Sequence, residues 1–192
     1  MPSSVHPSYT TNAFHGSASF DLKKVYRYTL VREYPGFKRC YSRRCVFVML
    51  NPSTADERVT DPTVARCLRY AKDWGFDNLT VLNIFALRAT DPRELYSHPN
   101  PMGETSDEND NYIRFTLRRQ WEEGWKSKRI VEPAPLVICA WGNHGTLHGR
   151  GSQVRQMLLD MHVTPHYLRL NKSGEPQHPL YLRADLKPIP WV

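Results

Sequence analysis

Apolar residues in this chain fall into short runs, and segments with a helical period separate them. Residues 26–34 (YRYTLVREY) alternate and are rich in β-formers, so they predict a strand, with Pro35-Gly36 as the turn after it. Residues 46–50 are continuously apolar, as expected of a strand buried on both faces. Asp61-Pro62 matches an N-cap followed by proline at the first helical position. Val64, Leu68 and Ala71 then recur at helical spacing up to Trp74, and Gly75 ends the helix. A second buried strand is predicted over 79–84 and a proline-rich loop over 89–103. A helix follows over 106–125, with Ser106 as its cap and Asp107, Glu108 and Asp110 near its positive end. Residues 136–141 predict a third strand, which runs into Gly142-Asn143-His144-Gly145. Residues 152–161 are helical, with Val154, Leu158 and Met161 on one face, and 166–170 predict a fourth strand. A loop carrying His178 and a tail with Pro188, Pro190 and Trp191 close the chain.

Strands alternating with helices imply a mainly parallel sheet covered on both sides. The expected architecture is a three-layer α/β/α domain over residues 21–192, with an amino-terminal strand or hairpin added at one edge. Residues 1–20 are polar and are expected to form a flexible segment. They lack the basic cluster and apolar stretch of a secretion signal. No apolar run approaches the roughly 18 residues that cross a bilayer. Hydrophobic residues make up 40% of the chain, which excludes a disordered protein.

The formal net charge of +7 favours a polyanionic partner, nucleic acid first. Lys38, Arg39, Arg43 and Arg44 would form a basic hairpin tip. Cys67 and Cys139 sit in a helical and a strand pattern, so both read as buried thiols. Cys40 and Cys45 are too few for a metal site, and His144, His148 and His162 match no zinc spacing. The simplest expectation is a reduced, cytoplasmic protein with no metal, no cofactor, no membrane association and no obligate protein partner.

Two motifs carry the chemistry. Asn51-Pro52-Ser53 follows the first apolar strand, and His178-Pro179-Leu180 lies in the last loop. In open α/β sheets, ligands bind at the loops that leave the carboxyl ends of the strands. The two motifs are therefore expected to face one pocket.

With that order of strands and motifs, the chain resembles the uracil-DNA glycosylase superfamily. Asn51-Pro52 resembles the Asn-Pro of its mismatch-specific branch, Leu82-Asn83 its base-reading strand, and the strand ending in Trp141-Gly142 its third strand. His178-Pro179 resembles its His-Pro-Ser motif, with Leu180 in place of the serine. The phrases MLNPSTAD, LNIFALRATDP, AWGNHG and GEPQHPLYL together resemble domain-of-unknown-function family 1643. The superfamily resemblance implies a four-stranded sheet in the order 2-1-3-4. It also implies a DNA glycosylase acting on a flipped base in DNA. The altered motifs imply a differently shaped pocket, for which a modified pyrimidine in phage DNA is a plausible substrate.

Under that resemblance Asn51 orients water, since an amide has no useful pKa for base work. Locally, an Asn before Pro also caps turns. Asp56 and Asp61 are the carboxylates able to take a proton, although Asp61 suits the helix cap better. His178 would donate to the leaving base. Asn83 would read the base edge, or else satisfy local backbone groups. Phe85 would stack on the base, though an aromatic just after a strand is more often core. Asn143 and His144 would line the pocket, and the surrounding glycine loop would present N–H groups to an anion. Leu180 and Tyr181 would wedge into the duplex or pack the last strand. Arg43, Arg44, Arg150, Lys172 and Arg183 are candidates for phosphate contacts. A nucleotide-modifying enzyme and a non-catalytic nucleic-acid binder remain the alternatives.

Overall fold

A run of buried residues from Cys45 to Leu50 sets the middle of the sheet. The computed structural model describes residues 9–11, 14–34, 43–126 and 134–192. Along the chain these form β1 (Tyr9–Thr11), β2 (Phe14–Phe20), β3 (Arg27–Glu33), β4 (Arg44–Met49), α1 (Pro62–Asp73) and β5 (Asn78–Asn83). They continue with the single-turn α2 (Glu94–Ser97), then α3 (Glu108–Lys126), β6 (Leu136–Cys139), α4 (Arg150–Asp160), β7 (Pro165–Tyr167) and β8 (Ile189–Pro190).

The strands make one mixed sheet in the order β1-β2-β3-β5-β4-β6-β7-β8. The inner strands β5, β4, β6 and β7 run parallel. β1, β2 and β3 add an antiparallel meander beside β5, and β8 closes the other edge antiparallel to β7. Alternate residues of β4 belong to different cores. Val46 and Val48 pack with Ile113 and Leu117 of α3 and Val154 and Leu158 of α4. Cys45, Phe47 and Met49 pack with Val64, Cys67, Leu68 and Ala71 of α1. Period-2 side-chain alternation thus places one helical layer on each face.

Several expectations change here. The four-stranded sheet is too small a description, because eight strands pair. The sheet takes in residues before position 21. Residues 14–20 form β2, with Ala18 and Phe20 buried beneath it. No hairpin joins β3 to β4, since β5 lies between them. Lys38, Arg39 and Cys40 lie outside the described residues. The 89–103 loop contains the turn α2, and the last segment of the tail is strand β8 rather than loop.

Helix α1 begins as its sequence dictates. The Asp61 carboxylate accepts from Val64 N at 2.8 Å, and Pro62 occupies the first turn. It ends at Trp74, and Gly75 takes a φ of +79°, which favours glycine. No helix among the described residues is long and apolar enough to cross a membrane.

Candidate functional site

The carboxyl ends of β4, β5 and β6 open onto a cavity of about 610 Å³. That volume lies within the roughly 300–1,000 Å³ of small-ligand sites. β4 and the residue pair after it supply Met49, Leu50 and Asn51; β5 supplies Val81 and Asn83. The start of α1 contributes Asp61 and Val64. Residues 141–144 after β6 and the loop at 177–181 complete the wall. Asn51 and His178, remote in sequence, therefore line one space.

Asn51 is half-buried, and its environment fixes its orientation. Nδ2 lies 2.8 Å from the carbonyl of Ala89, 3.1 Å from that of Pro52 and 3.5 Å from that of Leu87. Three acceptors on one side require the NH₂ end there. The Oδ1 end is then the part of this side chain left for a ligand or a water.

Asn83 is 1% exposed, and neither its Nδ2 nor its Oδ1 has a hydrogen-bond partner among the described residues. A buried polar group left in that state costs about 1–3 kcal/mol. The alternative that Asn83 satisfies local backbone groups does not hold. Asn109 Nδ2 instead reaches the Asn83 and Ile84 carbonyls, at 2.8 and 3.1 Å, and secures the end of β5.

His178 caps a single 3₁₀ turn over Pro179–Tyr181. Leu180 N donates to its Nδ1 at 3.4 Å, which leaves the ring proton on Nε2. Burial lowers its pKa below the ordinary 6.5, and the field of Asp61 opposes this only in part. The ring is therefore a neutral Nε2–H donor at neutral pH.

At the rim, Leu180 and Tyr181 are 38% and 83% exposed. They do not pack a terminal strand, because this segment is a single 3₁₀ turn. His144 Nδ1 meets the Tyr96 hydroxyl at 3.0 Å, and Asn143 Oδ1 accepts from Ser173 at 2.9 Å. In the glycine loop around them, two backbone N–H groups are taken by the protein itself. Gly142 N donates to Pro176 O at 2.8 Å and Gly145 N to Gly142 O at 3.0 Å. Gly145 is needed for packing, since a Cβ there would stand 2.0 Å from the Trp141 ring.

Other candidates lie elsewhere. Asp56 does not line the cavity. Its Oδ1 accepts from Arg58 N and Val59 N at 2.8 and 2.7 Å in a tight turn. Phe85 is fully buried in the core with α3 and α4, so it is no stacking platform. Arg43 and Arg44 stand at the start of β4, and six residues at about 3.3 Å each separate that end from the cavity. Arg43 donates to Gly75 O at 3.2 Å and covers the Phe76 ring. Arg150 is a buried brace, donating to Ile84 O at 2.9 Å and pairing with Asp110. Arg183 is exposed and paired with Asp185 at 2.7 Å. Lys172 is exposed in a turn beside Asn171, which does line the cavity.

Of the two remaining charged cavity residues, Asp61 has both of the roles its sequence position suggests, and Arg27 has one that its position does not reveal. Asp61 caps α1 and also lines the cavity, so one carboxylate does both. Arg27 lines it too and is 2% exposed. In an alternating strand an arginine reads as solvent-facing, and nothing local signals otherwise. Among the described residues no group of three or more His, Cys, Asp or Glu side chains could hold a metal ion.

No curated protein matches the chain. The family model described as "Protein of unknown function (DUF1643)" matches residues 27–180, from the first residue of β3 through the His178 turn. That span covers well over half of the chain and includes Arg27, Asn51, Asn83 and His178. The chain belongs to the DUF1643 family.

Proposed function

We propose that this protein is a DNA glycosylase-like hydrolase that cleaves the N-glycosidic bond of a flipped, modified pyrimidine in DNA. One observation carries the proposal. Asn83, an amide whose two polar atoms are buried and have no partner among the described residues, borders a cavity that Asn51 and His178 also line. An amide offers a donor and an acceptor side by side, which suits the edge of a base. A uracil-DNA glycosylase-like fold is part of the same proposal. The parallel order β5-β4-β6-β7 and the placement of Asn-Pro after β4 and His-Pro in the last loop support it.

In the reaction, the bond from C1′ to the base nitrogen breaks and its electron pair leaves with the base. Positive charge develops on the sugar, and the oxygen of a water adds to C1′. Asn51 Oδ1 accepts from that water and orients it. Asp61 replaces Asp56 as the carboxylate at hand for the water's proton. His178 Nε2–H donates to the departing base, and a donor aimed at developing charge is typically worth about 3–4 kcal/mol. Leu180 and Tyr181 are placed at the rim to fill the gap left by the flipped nucleotide. DNA is the proposed partner and the cytoplasm the proposed location. A role in phage defence or modified-DNA metabolism follows from such a substrate.

The test is incubation of pure protein with DNAs carrying different natural base modifications, with free base measured by mass spectrometry. Release of one such base, with alkali-labile sites left in the DNA, is expected. Release from none of them overturns the proposal. A base-modifying enzyme or a silent DNA binder on this fold would leave no abasic sites.

A further inference from the structure

Three arginines are buried among the described residues: Arg27, Arg32 and Arg150. Two of them are tied to other parts of the protein by more than one bond. Arg32 donates to the carbonyls of Val31 at 3.0 Å, Val59 at 3.1 Å and Asp56, holding the 56–60 loop to β3. Arg150 is paired with Asp110 and the Ile84 carbonyl. Neither lines the cavity.

Arg27 differs on every count. Its guanidinium has five N–H donors. Among the described residues one hydrogen bond is made, from Nη1 to Ala55 O at 2.5 Å, and Nε is buried without a partner. No carboxylate among them lies within ion-pair distance. Burial lowers its pKa to about 10 against the opposing field of Asp61, so the group remains a cation at neutral pH. A buried cation without a paired anion is costly. This one borders the cavity that Asn83 also lines, and its strand β3 pairs with β5, which carries Asn83.

We propose that Arg27 is an anion-binding subsite, and that the ligand of this cavity carries a phosphate or carboxylate that docks on its guanidinium. The planar fork of an arginine matches either oxyanion with two parallel hydrogen bonds. At 2% exposure Arg27 is a wall of the cavity, not an outer surface. The anion therefore belongs to the part of the ligand that enters: the phosphate of a nucleotide, or an acidic substituent on a base. Asp61 borders the same cavity and repels such a group, so the anion is expected to sit on the Arg27 side. Nothing in this requires that the base be excised.

Calorimetric titration with two matched pairs tests it: deoxyuridine monophosphate against deoxyuridine, and uracil-5-carboxylate against uracil. The wild-type protein is expected to bind the anionic member of one pair about ten- to a hundredfold more tightly. A preference in the first pair identifies a phosphate, and in the second a base substituent. Arg27→Gln should erase the preference, and Arg27→Lys, which keeps the charge but loses the fork, should retain part of it. If Arg27→Gln does not fold, the wild-type pairs and Arg27→Lys decide. Equal binding within both pairs, or no binding of either anion, overturns the proposal. Base release from DNA is read separately, so anion preference without release would sink the glycosylase proposal alone.

Discussion

The side-chain amide of Asn51 donates a hydrogen bond to the carbonyl of Ala89 at 2.8 Å. It thereby ties the loop after β4 to the segment after β5, and the contact gives Asn51 a structural duty besides any chemical one. Asn51→Ala should lower stability by about 1–3 kcal/mol in urea unfolding, because three carbonyls lose a donor. It should also abolish base release. A variant as stable as the wild type would show that these bonds do not hold the two loops together.

Asn83 should behave in the opposite sense. Its two polar atoms are buried without partners among the described residues, so an apolar residue of similar size removes a penalty. Asn83→Leu is expected to raise the stability of the free protein by about 1 kcal/mol or more and to abolish ligand recognition. Thermal melts of the two proteins decide this. A lower melting temperature for the variant would mean that Asn83 is satisfied in solution and is not held in readiness for a ligand.

Acid should weaken the fold through His178. Burial holds its pKa below the ordinary 6.5, with Asp61 raising it by less. The unfolded chain therefore takes up a proton that the folded chain resists. The associated stability is fully present above pH 6.5 and is lost as pH falls below that value. Asp56 titrates in a lower window. Partial burial raises its pKa, but the N–H groups of Val59 and Arg58 and nearby arginines bring it below the ordinary 3.8. His178→Gln should flatten the dependence of the urea midpoint on pH just below 6.5. An unchanged slope would place the proton uptake on another histidine.

Tyr181 is 83% exposed at the rim. Tyr181→Ala should leave stability within about 0.5 kcal/mol of the wild type, as for most surface changes. Binding to duplex DNA that must be opened should fall, and binding to single strands should change much less. Gel-shift titrations with matched duplex and single-stranded DNA provide the comparison. Equal loss on both would mark Tyr181 as a general contact and not a wedge.

The central strands, the cap of α1 and the two prolyl-flanked motifs can be read from the order of residues alone. Each of these is local. A run of five apolar residues, an Asp before Pro, or a polar residue at a strand end is legible because the cause lies within a few residues of the effect. The remaining features depend on contacts between distant segments. β2 joins the sheet by pairing with β3, and β1 by pairing with β2, not through any marked pattern of their own. Phe85 belongs to the core and Asp56 to a surface turn, although both lie close in sequence to cavity residues. The destinations of the arginines were least legible. Arg27, Arg32 and Arg150 are buried, yet in sequence each reads as a solvated charge. Whether a long basic side chain reaches water or folds inward depends on which carbonyls and carboxylates other segments bring to it. Those partners are supplied by residues far along the chain, so no local window contains them.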